Sequence, residues 1–525
     1  MPRALIDNRP VEVPHGATIL DAARLLHIDI PTLCHLKDFA PFTSCMVCLV
    51  KIDGKERLAP ACATKVVDGM TIESETPEVR RARRVALELL LSEHAGDCSA
   101  PCQHVCPAHM NINEMLRLIA AKEFHRAAEV VKRDIPFPAT LGRICPELCE
   151  KGCRRADLDG AVSICRLKRF VGDTDLATHH PYLPAKADPT GKRIAIIGAG
   201  PTGLSAAWFL ALAGHAVDIY DARSHVGGAL RSDISPALLP VEILDAETAL
   251  LPRLGVNFIL NKKLSSTTEA HSAEITLPDL QSHYDAILMA LGPIDPATLR
   301  TFGLETLGKG IKIERDTFRT NLPRVYAAGA IVTPYRYAVR AVADGHAAAK
   351  SIDASLRCAE REPAQFSMRL GALPKVELVV LAEQASSEPR TPTVPDRDLT
   401  VEQAIKEASR CIQCGCSKGD DCLLRHYSTQ YEVNSNHYRG ERRPLERINT
   451  HPDILYEPGK CISCGRCVAI ASRAGELWGL SMTRRGFAVK VLPSLGRSLQ
   501  AALQKSAPDV IAACPTAALA WRRKI

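Results

Sequence analysis

The sequence predicts a multi-domain protein of α/β and α+β class, on three observations. A chain of 525 residues has room for three or more domains, each with an ordinary core. The stretch from Lys192 to Asp221, KRIAIIGAGPTGLSAAWFLALAGHAVDIYD, reads as strand, glycine turn, helix and second strand, the opening of a parallel sheet. Twenty cysteines fall in tight groups on both sides of that stretch, and none lies between Lys192 and Ile352.

Within the central stretch, Ile194 to Ile197 is a short β-branched run. Gly198-x-Gly200-x-x-Gly203 follows at once, and Leu204 to Leu212 carries helix-forming apolar residues up to Gly214. Gly198 permits the turn, Gly200 lets the backbone approach a pyrophosphate, and Gly203 lets helix and strand pack closely. The helix N-terminus offers N–H donors and a partial positive charge. Asp221 ends the second strand where a carboxylate would take a ribose hydroxyl. A glycine-broken helix start can also be purely structural; strand, helix and acidic residue in register favour dinucleotide binding. Ile194 to Val217 has no charged residue and the length of a membrane span. The glycines and proline at its head break any continuous helix, so no membrane segment is expected.

The formal net charge of +7 is small for this length, and Lys and Arg are interspersed with acids, which describes a solvated surface and not a nucleic-acid footprint. MPRALIDNRPVEV has no apolar signal core. Clustered cysteines in such a chain read as metal or iron–sulfur ligands in a reducing cytoplasm, not as disulfides.

Taken in order, residues 3–13 alternate around Asp7-Asn8 like a hairpin, and Thr18 to Leu26 reads as a short helix. Cys34-x10-Cys45-x2-Cys48-x13-Cys62 supplies four thiolates of the kind a [2Fe–2S] rhombus needs; zinc would also accept them. The long first gap and CMVCLV resemble the N-terminal ferredoxin domain of the largest peripheral-arm subunit of respiratory complex I and of iron hydrogenases. That resemblance covers about the first hundred residues and implies a β-grasp domain holding [2Fe–2S]. The complex I family also places a histidine ligand before a cysteine, a spacing that His94-x3-Cys98 fits. A lone histidine at a helix end is more often a cap or surface residue.

From Cys98 the pattern changes to CSAPCQHVCP and, after an amphipathic helical stretch, to RICPELCEKGC. These runs resemble the N-terminal double-cluster domain of the NAD(P)H-dependent glutamate synthase small subunit and of dihydropyrimidine dehydrogenase, which holds two [4Fe–4S] clusters. Carried over by position, Cys98, Cys102 and Cys153 share one cluster, and Cys106, Cys145 and Cys149 the other. Each set is one ligand short: the family's first cysteine aligns with Ala95, and its non-cysteine ligand falls near Lys168. His94 and Cys165 are the nearby replacements.

Ala185 to Gly191 is a linker into the dinucleotide domain. Gly227-Gly228-Ala229-Leu230-Arg231 resembles the second glycine pair of glutamate-synthase-type flavoproteins. YDAILMALG, Tyr284 to Gly292, resembles their returning strand. NLPRVYAAGAIV, followed by a helix from Ala338 to Ile352, resembles their flavin-covering segment, with Gly329 in the turn and Ala330 where the family has aspartate. The resemblance implies FAD bound through Gly198, Gly200, Gly203, Asp221, Gly228, Arg231 and Gly329. Those relatives insert a second nucleotide-binding unit before the closing segment. Here only about thirty residues separate Gly292 from Leu322, too few for one.

Arg361 to Arg397, rich in Pro, Ser and charge, predicts an extended connector interrupted by a strand at Val376 to Leu381. Thr400-x-x-Gln403 is a capping box that opens a helix leading to Cys411-x2-Cys414-x-Cys416-x5-Cys422, a set for zinc or a further [4Fe–4S] cluster. Cys461-x2-Cys464-x2-Cys467 with distant Cys514-Pro515 resembles a ferredoxin-like [4Fe–4S] module, again as in complex I. Cys358 reads as a buried apolar residue.

The domains expected are a [2Fe–2S] domain over 1–80, a helical double-cluster domain over 81–184, a truncated Rossmann-like FAD domain over 190–357, a linker over 358–398, a cysteine-rich segment over 399–430 and a [4Fe–4S] ferredoxin-like domain over 431–525. Flavin exchanges two electrons with a hydride donor or one with a cluster, so the chain reads as an electron-transfer subunit with FAD, one [2Fe–2S] and three to four [4Fe–4S] clusters. Its partner would hold the substrate site: a molybdenum or tungsten formate or aldehyde dehydrogenase, a hydrogenase, or an NAD(P)H-oxidising subunit. The rivals are a glutamate synthase small-subunit-type reductase and a zinc-bearing scaffold.

Overall fold

In the computed structural model of the chain, which describes residues 1–266, 273–359, 363–392, 398–419 and 421–522, the polypeptide divides into two units. One comprises the described parts of Met1–Ala100, Glu362–Glu383 and Gln413–Lys524; the other those of Pro101–Arg361 and Gln384–Ile412. Arg361, Glu362 and residues 393–397 of the predicted connector lie outside the described residues. Ala100 and Ile412, where stretches of the units end, fall inside the predicted segments 81–184 and 399–430.

In the first unit, Asp7 and Asn8 take left-handed backbone, φ 48° and 63°, which a two-residue hairpin with the strand twist requires. They join Arg3–Ile6 to Arg9–Glu12. Met70–Glu73 pairs parallel to Arg3–Ile6 and antiparallel to Leu49–Ile52, and Ala59–Pro60 forms the far edge of this five-stranded sheet. Helix Ile19–Leu25, capped by reciprocal bonds between Thr18 and Asp21, buries Ile19, Leu20, Ala22 and Ala23 against Ile6, Val50 and Ile72. Helix Pro77–Ser92 carries Arg83, whose fully buried guanidinium donates to Leu49 O, Glu75 and the Tyr431 hydroxyl. That bond ties the N-terminal sheet to a segment nearly 350 residues away. The C-terminal part pairs Ile454–Tyr456 with Leu519–Trp521 and Leu480–Thr483 with Lys490–Pro493, over a core shared with helices Arg466–Arg473 and Ala507–Ala513.

Val376 to Leu381, predicted as a strand, lies in helix Lys375–Ala382. The β-branched LVVL run is overridden by tertiary contacts: Leu378 and Leu381 are buried, and Glu377 accepts from Arg442 and from Leu445 N.

The second unit packs helices Ile112–Ala120, Phe124–Lys132, Pro138–Ile144 and Ile164–Leu176 before a five-stranded parallel sheet. The sheet order is Val325–Ala327, Ala286–Met289, Arg193–Ile197, Ala216–Tyr220, Val256–Ile259. Its central strand is the predicted Ile194 run, buried from Ile194 to Ile197. The closing helix runs over Ala338–Leu356, one turn beyond the predicted end, and lies on Pro201–Leu212. The approach is close enough that a Cβ on Gly345 would sit 2.3 Å from Thr202 O. Between Gly292 and Leu322 the chain forms helix Pro296–Thr301 and a two-stranded pair, Thr306–Leu307 with Gly310–Ile311. Cys358, read from the sequence as buried, is exposed. It follows the end of helix Ala338–Leu356 in left-handed backbone, φ 50°, where the chain turns away from the core.

Candidate redox sites

At the glycine turn each glycine meets a different constraint. Gly198 has φ 110°, and a Cβ there would lie 2.5 Å from Ala290 O. A Cβ on Gly203 would lie 2.0 Å from Gly198 O, so helix and strand touch backbone to backbone. Gly200 caps helix Pro201–Leu212 with ordinary extended backbone, φ −82° and ψ −179°, and a Cβ there would meet nothing within 4 Å. That open space at a helix N-terminus is the cradle a pyrophosphate would fill. Gly228 and Gly329, φ 52° and 84°, close its sides: a Cβ on the first would lie 2.9 Å from Gly200 Cα, and on the second 2.3 Å from Thr202 Oγ1. Asp221 accepts from Ala199 N at 2.7 Å and Arg223 N at 2.8 Å. Its carboxylate therefore braces the turn. Arg231 is tied to Val226 O and to Asp245 of helix Val241–Thr248.

The N-terminal thiols meet as two couples. Cys34, Cys45, Cys48 and Cys62 are all buried. The Cys45 thiol donates to Cys34, and with the N–H groups of Cys45 and Ser44 it holds Cys34 down at about 5 against burial. The Cys62 thiol likewise holds Cys48 at about 7. Left-handed Thr43 and Met46, φ 50° and 53°, fold the loop so that Cys45 and Cys48 face different partners. Two couples of thiolates suit two irons, two ligands each.

In the second unit Cys106, Cys145, Cys149 and Cys165 surround the buried Lys168. Gly142 and Gly172 make this possible. A Cβ on Gly142 would lie 2.5 Å from Arg169 Cα, and on Gly172 2.3 Å from Ala139 N. Helices Pro138–Ile144 and Ile164–Leu176 thus pack antiparallel with their backbones touching, and Cys145 at the end of one comes beside Cys165 at the start of the other. The Cys149 and Cys165 sulfurs are 3.9 Å apart. Burial pushes the Lys168 ammonium toward neutrality; the sulfurs of Cys165, Cys145, Cys149 and Cys106 outweigh it and hold the lysine above its ordinary range. Glu150, inside the PELCEKGC run but given no role from sequence, accepts from Cys165 N at 3.0 Å and from Arg390 at 2.6 Å.

The expected trio of Cys98, Cys102 and Cys153 is distributed over both units. Cys102 and Cys153 belong to the second, where the Cys102 thiol lies 3.7 Å from Asn113 Oδ1. Cys98 belongs to the first, where its sulfur accepts from Met368 N at 3.3 Å and its thiol neighbours are Cys416 and Cys422. Of the predicted set from Cys411 to Cys422, Cys411 lies in the second unit and Cys414, Cys416 and Cys422 in the first. His94 is held down to about 4 by its enclosure and by the Lys460 ammonium, with Glu457 opposing.

Cys461, Cys464, Cys467 and Cys514 line one recess of about 370 Å³, open mouth included, together with Tyr456 and Pro515. Burial raises all three CxxC-type thiols, Cys464 to about 12. Ser463 N donates to the Cys461 sulfur at 3.4 Å, as cluster thiolates require. The N-terminal thiols are near neighbours of this recess in the same unit. Cys34, Cys45 and Cys464 share one core, a Cβ on Gly465 would lie 3.2 Å from the Phe42 ring, and Arg466 donates to Leu33 O.

Among the described residues no helix is long and apolar enough to cross a membrane. Residues 3–77 match the model of the 2Fe-2S iron-sulfur cluster binding domain, residues 91–180 that of dihydropyrimidine dehydrogenase domain II, 4Fe-4S cluster, and residues 153–345 that of pyridine nucleotide-disulphide oxidoreductase. The chain is 36% identical over 210 residues to the NAD-dependent dihydropyrimidine dehydrogenase subunit PreT of Escherichia coli, covering 39% of this chain and 49% of that protein. It is 32% identical over 217 residues to the NADPH-Fe(3+) oxidoreductase subunit beta of Geobacter sulfurreducens, covering 41% and 31%. It is 34% identical over 215 residues to the NADP(+)-dependent formate dehydrogenase subunit beta of Moorella thermoacetica, covering 37% and 29%. The chain thus spans half or less of the length of these relatives. The double-cluster likeness expected from sequence is found with dihydropyrimidine dehydrogenase, not specifically with glutamate synthase. Three segments of the chain carry the 2Fe–2S, 4Fe–4S and pyridine-nucleotide modules of oxidoreductases.

Proposed function

We propose that the chain is an electron-transfer subunit that connects one FAD to one [2Fe–2S] and three to four [4Fe–4S] clusters within a larger redox complex. The observation that supports this most directly is that one polypeptide holds both a glycine cradle open to a pyrophosphate and buried thiols in the couples and fours that clusters use. When bound, flavin exchanges two electrons with a hydride donor and one with a cluster.

The chain's own residues then have distinct tasks. Gly200 and the N–H groups of the first turn of Pro201–Leu212 receive the pyrophosphate, while Asp221 fixes the turn through Ala199 N. Gly228 and Gly329 keep side chains out of the cradle, and Arg231 is held in place by Asp245. Cys34 with Cys45 and Cys48 with Cys62 hold the [2Fe–2S] cluster. Cys106, Cys145, Cys149 and Cys165 hold one [4Fe–4S] cluster, and Cys461, Cys464, Cys467 and Cys514 another. Cys98, Cys416 and Cys422, with Cys414 adjacent in sequence, belong to a further centre in the first unit; Cys102, Cys153 and Cys411 stand in the second. Cys34, Cys45 and Cys464 share one core, so the groups that the first four and the last four cysteines would hold belong to the same part of the first unit, where they would supply one-electron chemistry.

Relatives named as subunits of formate dehydrogenase and of an NADPH-linked iron reductase favour a partner chain that holds the substrate site, such as a molybdenum or tungsten dehydrogenase, a hydrogenase or an NAD(P)H-oxidising subunit. The finer likeness of the flavin motifs is to the glutamate synthase small subunit. Anaerobic purification followed by iron, sulfide, zinc and flavin analysis and by EPR after reduction tests the reading. One flavin with [2Fe–2S] and [4Fe–4S] signals is expected. Stoichiometric zinc with little iron would replace it with a scaffold role.

A further inference from the structure

We propose that Lys168 is a charge-compensating residue for the centre held by Cys106, Cys145, Cys149 and Cys165, and that its ammonium raises the reduction potential of that centre. The inference rests on the ligand set given above. Lys168 stands one turn after Cys165 on helix Ile164–Leu176, so both side chains leave the same face, and it is 3% exposed. Three buried or half-buried acids of this region are committed to other cations, and Glu147, beside Cys145, is exposed. Glu150 pairs with Arg390, Asp173 with Arg143 and Arg169, and Asp175 with Lys132. What faces the Lys168 ammonium is sulfur. The first unit offers a contrast: its buried Lys460, beside Cys416, bonds to Glu457, which also accepts from Arg447, so that ammonium is engaged by a carboxylate and not by sulfur alone.

Reduction adds one negative charge to a four-thiolate centre. A fixed, buried positive charge stabilises the reduced form more than the oxidised one, and the effect is larger at low dielectric. Lys168 replaces nothing as a ligand, because Cys165 fills that role; it tunes the centre as a positioning residue does.

The test uses the full chain, purified anaerobically and titrated potentiometrically with EPR detection. Cys165→Ser first assigns the signal: loss of about four irons and of one signal is expected for a four-iron centre, and retention of both would overturn the ligand set itself. In Lys168→Gln the reduction equilibrium of that one centre is expected to fall at least tenfold, which is about 59 mV for one electron, while the others hold. Lys168→Arg is expected to stay within about threefold of the parent, since it keeps the charge. An unshifted potential in Lys168→Gln with iron intact would overturn the inference. If Lys168→Gln cannot retain its iron, Lys168→Arg decides: iron and parental potential there support the charge role, and loss of iron there too would show that shape, not charge, is required.

Discussion

Gly200→Ala should separate flavin binding from folding. The backbone at Gly200, φ −82° and ψ −179°, suits any residue, and the added methyl meets no protein atom within 4 Å. Alanine is a poorer N-cap than glycine, at about 1 kcal/mol or less, and it gains a similar amount by restricting the unfolded chain. Stability should therefore change by less than about 1 kcal/mol. The same methyl stands in the space left for the pyrophosphate. Displacing an anion from one or two backbone N–H donors costs about 1.5–3 kcal/mol, or roughly 10- to 150-fold in affinity at 1.4 kcal/mol per decade. Gly203→Ala is the opposite case: its methyl would lie 2.0 Å from Gly198 O, so the helix must move by about 1 Å at an overpacking cost of about 1–3 kcal/mol. Flavin-to-protein ratios over a series of free FAD concentrations, beside urea unfolding of the same samples, would measure both. Parental flavin affinity in Gly200→Ala would refute the cradle, and parental stability in Gly203→Ala would refute the packing.

Two further outcomes follow from the second unit. Glu247 accepts from Ala139 N at 2.7 Å and Thr140 N at 2.8 Å, and burial raises its carboxyl from 4.5 to about 7. The native chain thus keeps a proton that the unfolded chain releases, so this group's stabilisation is complete below about pH 4.5 and is lost as pH rises through about 7. Glu247→Gln should remove that slope, so that the difference between variant and parent in unfolding free energy from urea titrations grows in the variant's favour by up to about 1.4 kcal/mol per pH unit between pH 5 and 7; a constant difference would count against it. The isolated chain should not oxidise NADH or NADPH at a useful rate, because between Gly292 and Leu322 it has a helix and a two-stranded pair and hydride transfer needs the nicotinamide held about 3–3.5 Å from the flavin. Stopped-flow mixing at the flavin band is the check, and rapid, saturable bleaching would reveal a nicotinamide site.

The sequence by itself determined what neighbouring residues settle among themselves. The Asp7-Asn8 hairpin, the caps at Thr18 and Thr400, and the strand, glycine turn and helix from Arg193 to Leu212 depend on backbone sterics and hydrogen bonds spanning a few positions, and they are legible there. Only the tertiary structure decided which thiols meet. Cys165 joins Cys145 because Gly142 and Gly172 let two helices touch, a contact in which no cysteine takes part. Cys98 joins Cys416 and Cys422, and Cys464 shares a core with Cys34, across more than three hundred residues. Helix Lys375–Ala382 and the exposure of Cys358 escaped the local reading for the same reason. Spacing within a motif constrains a loop of a few residues, whereas the meeting of distant motifs is set by how whole helices and sheets bury their apolar faces.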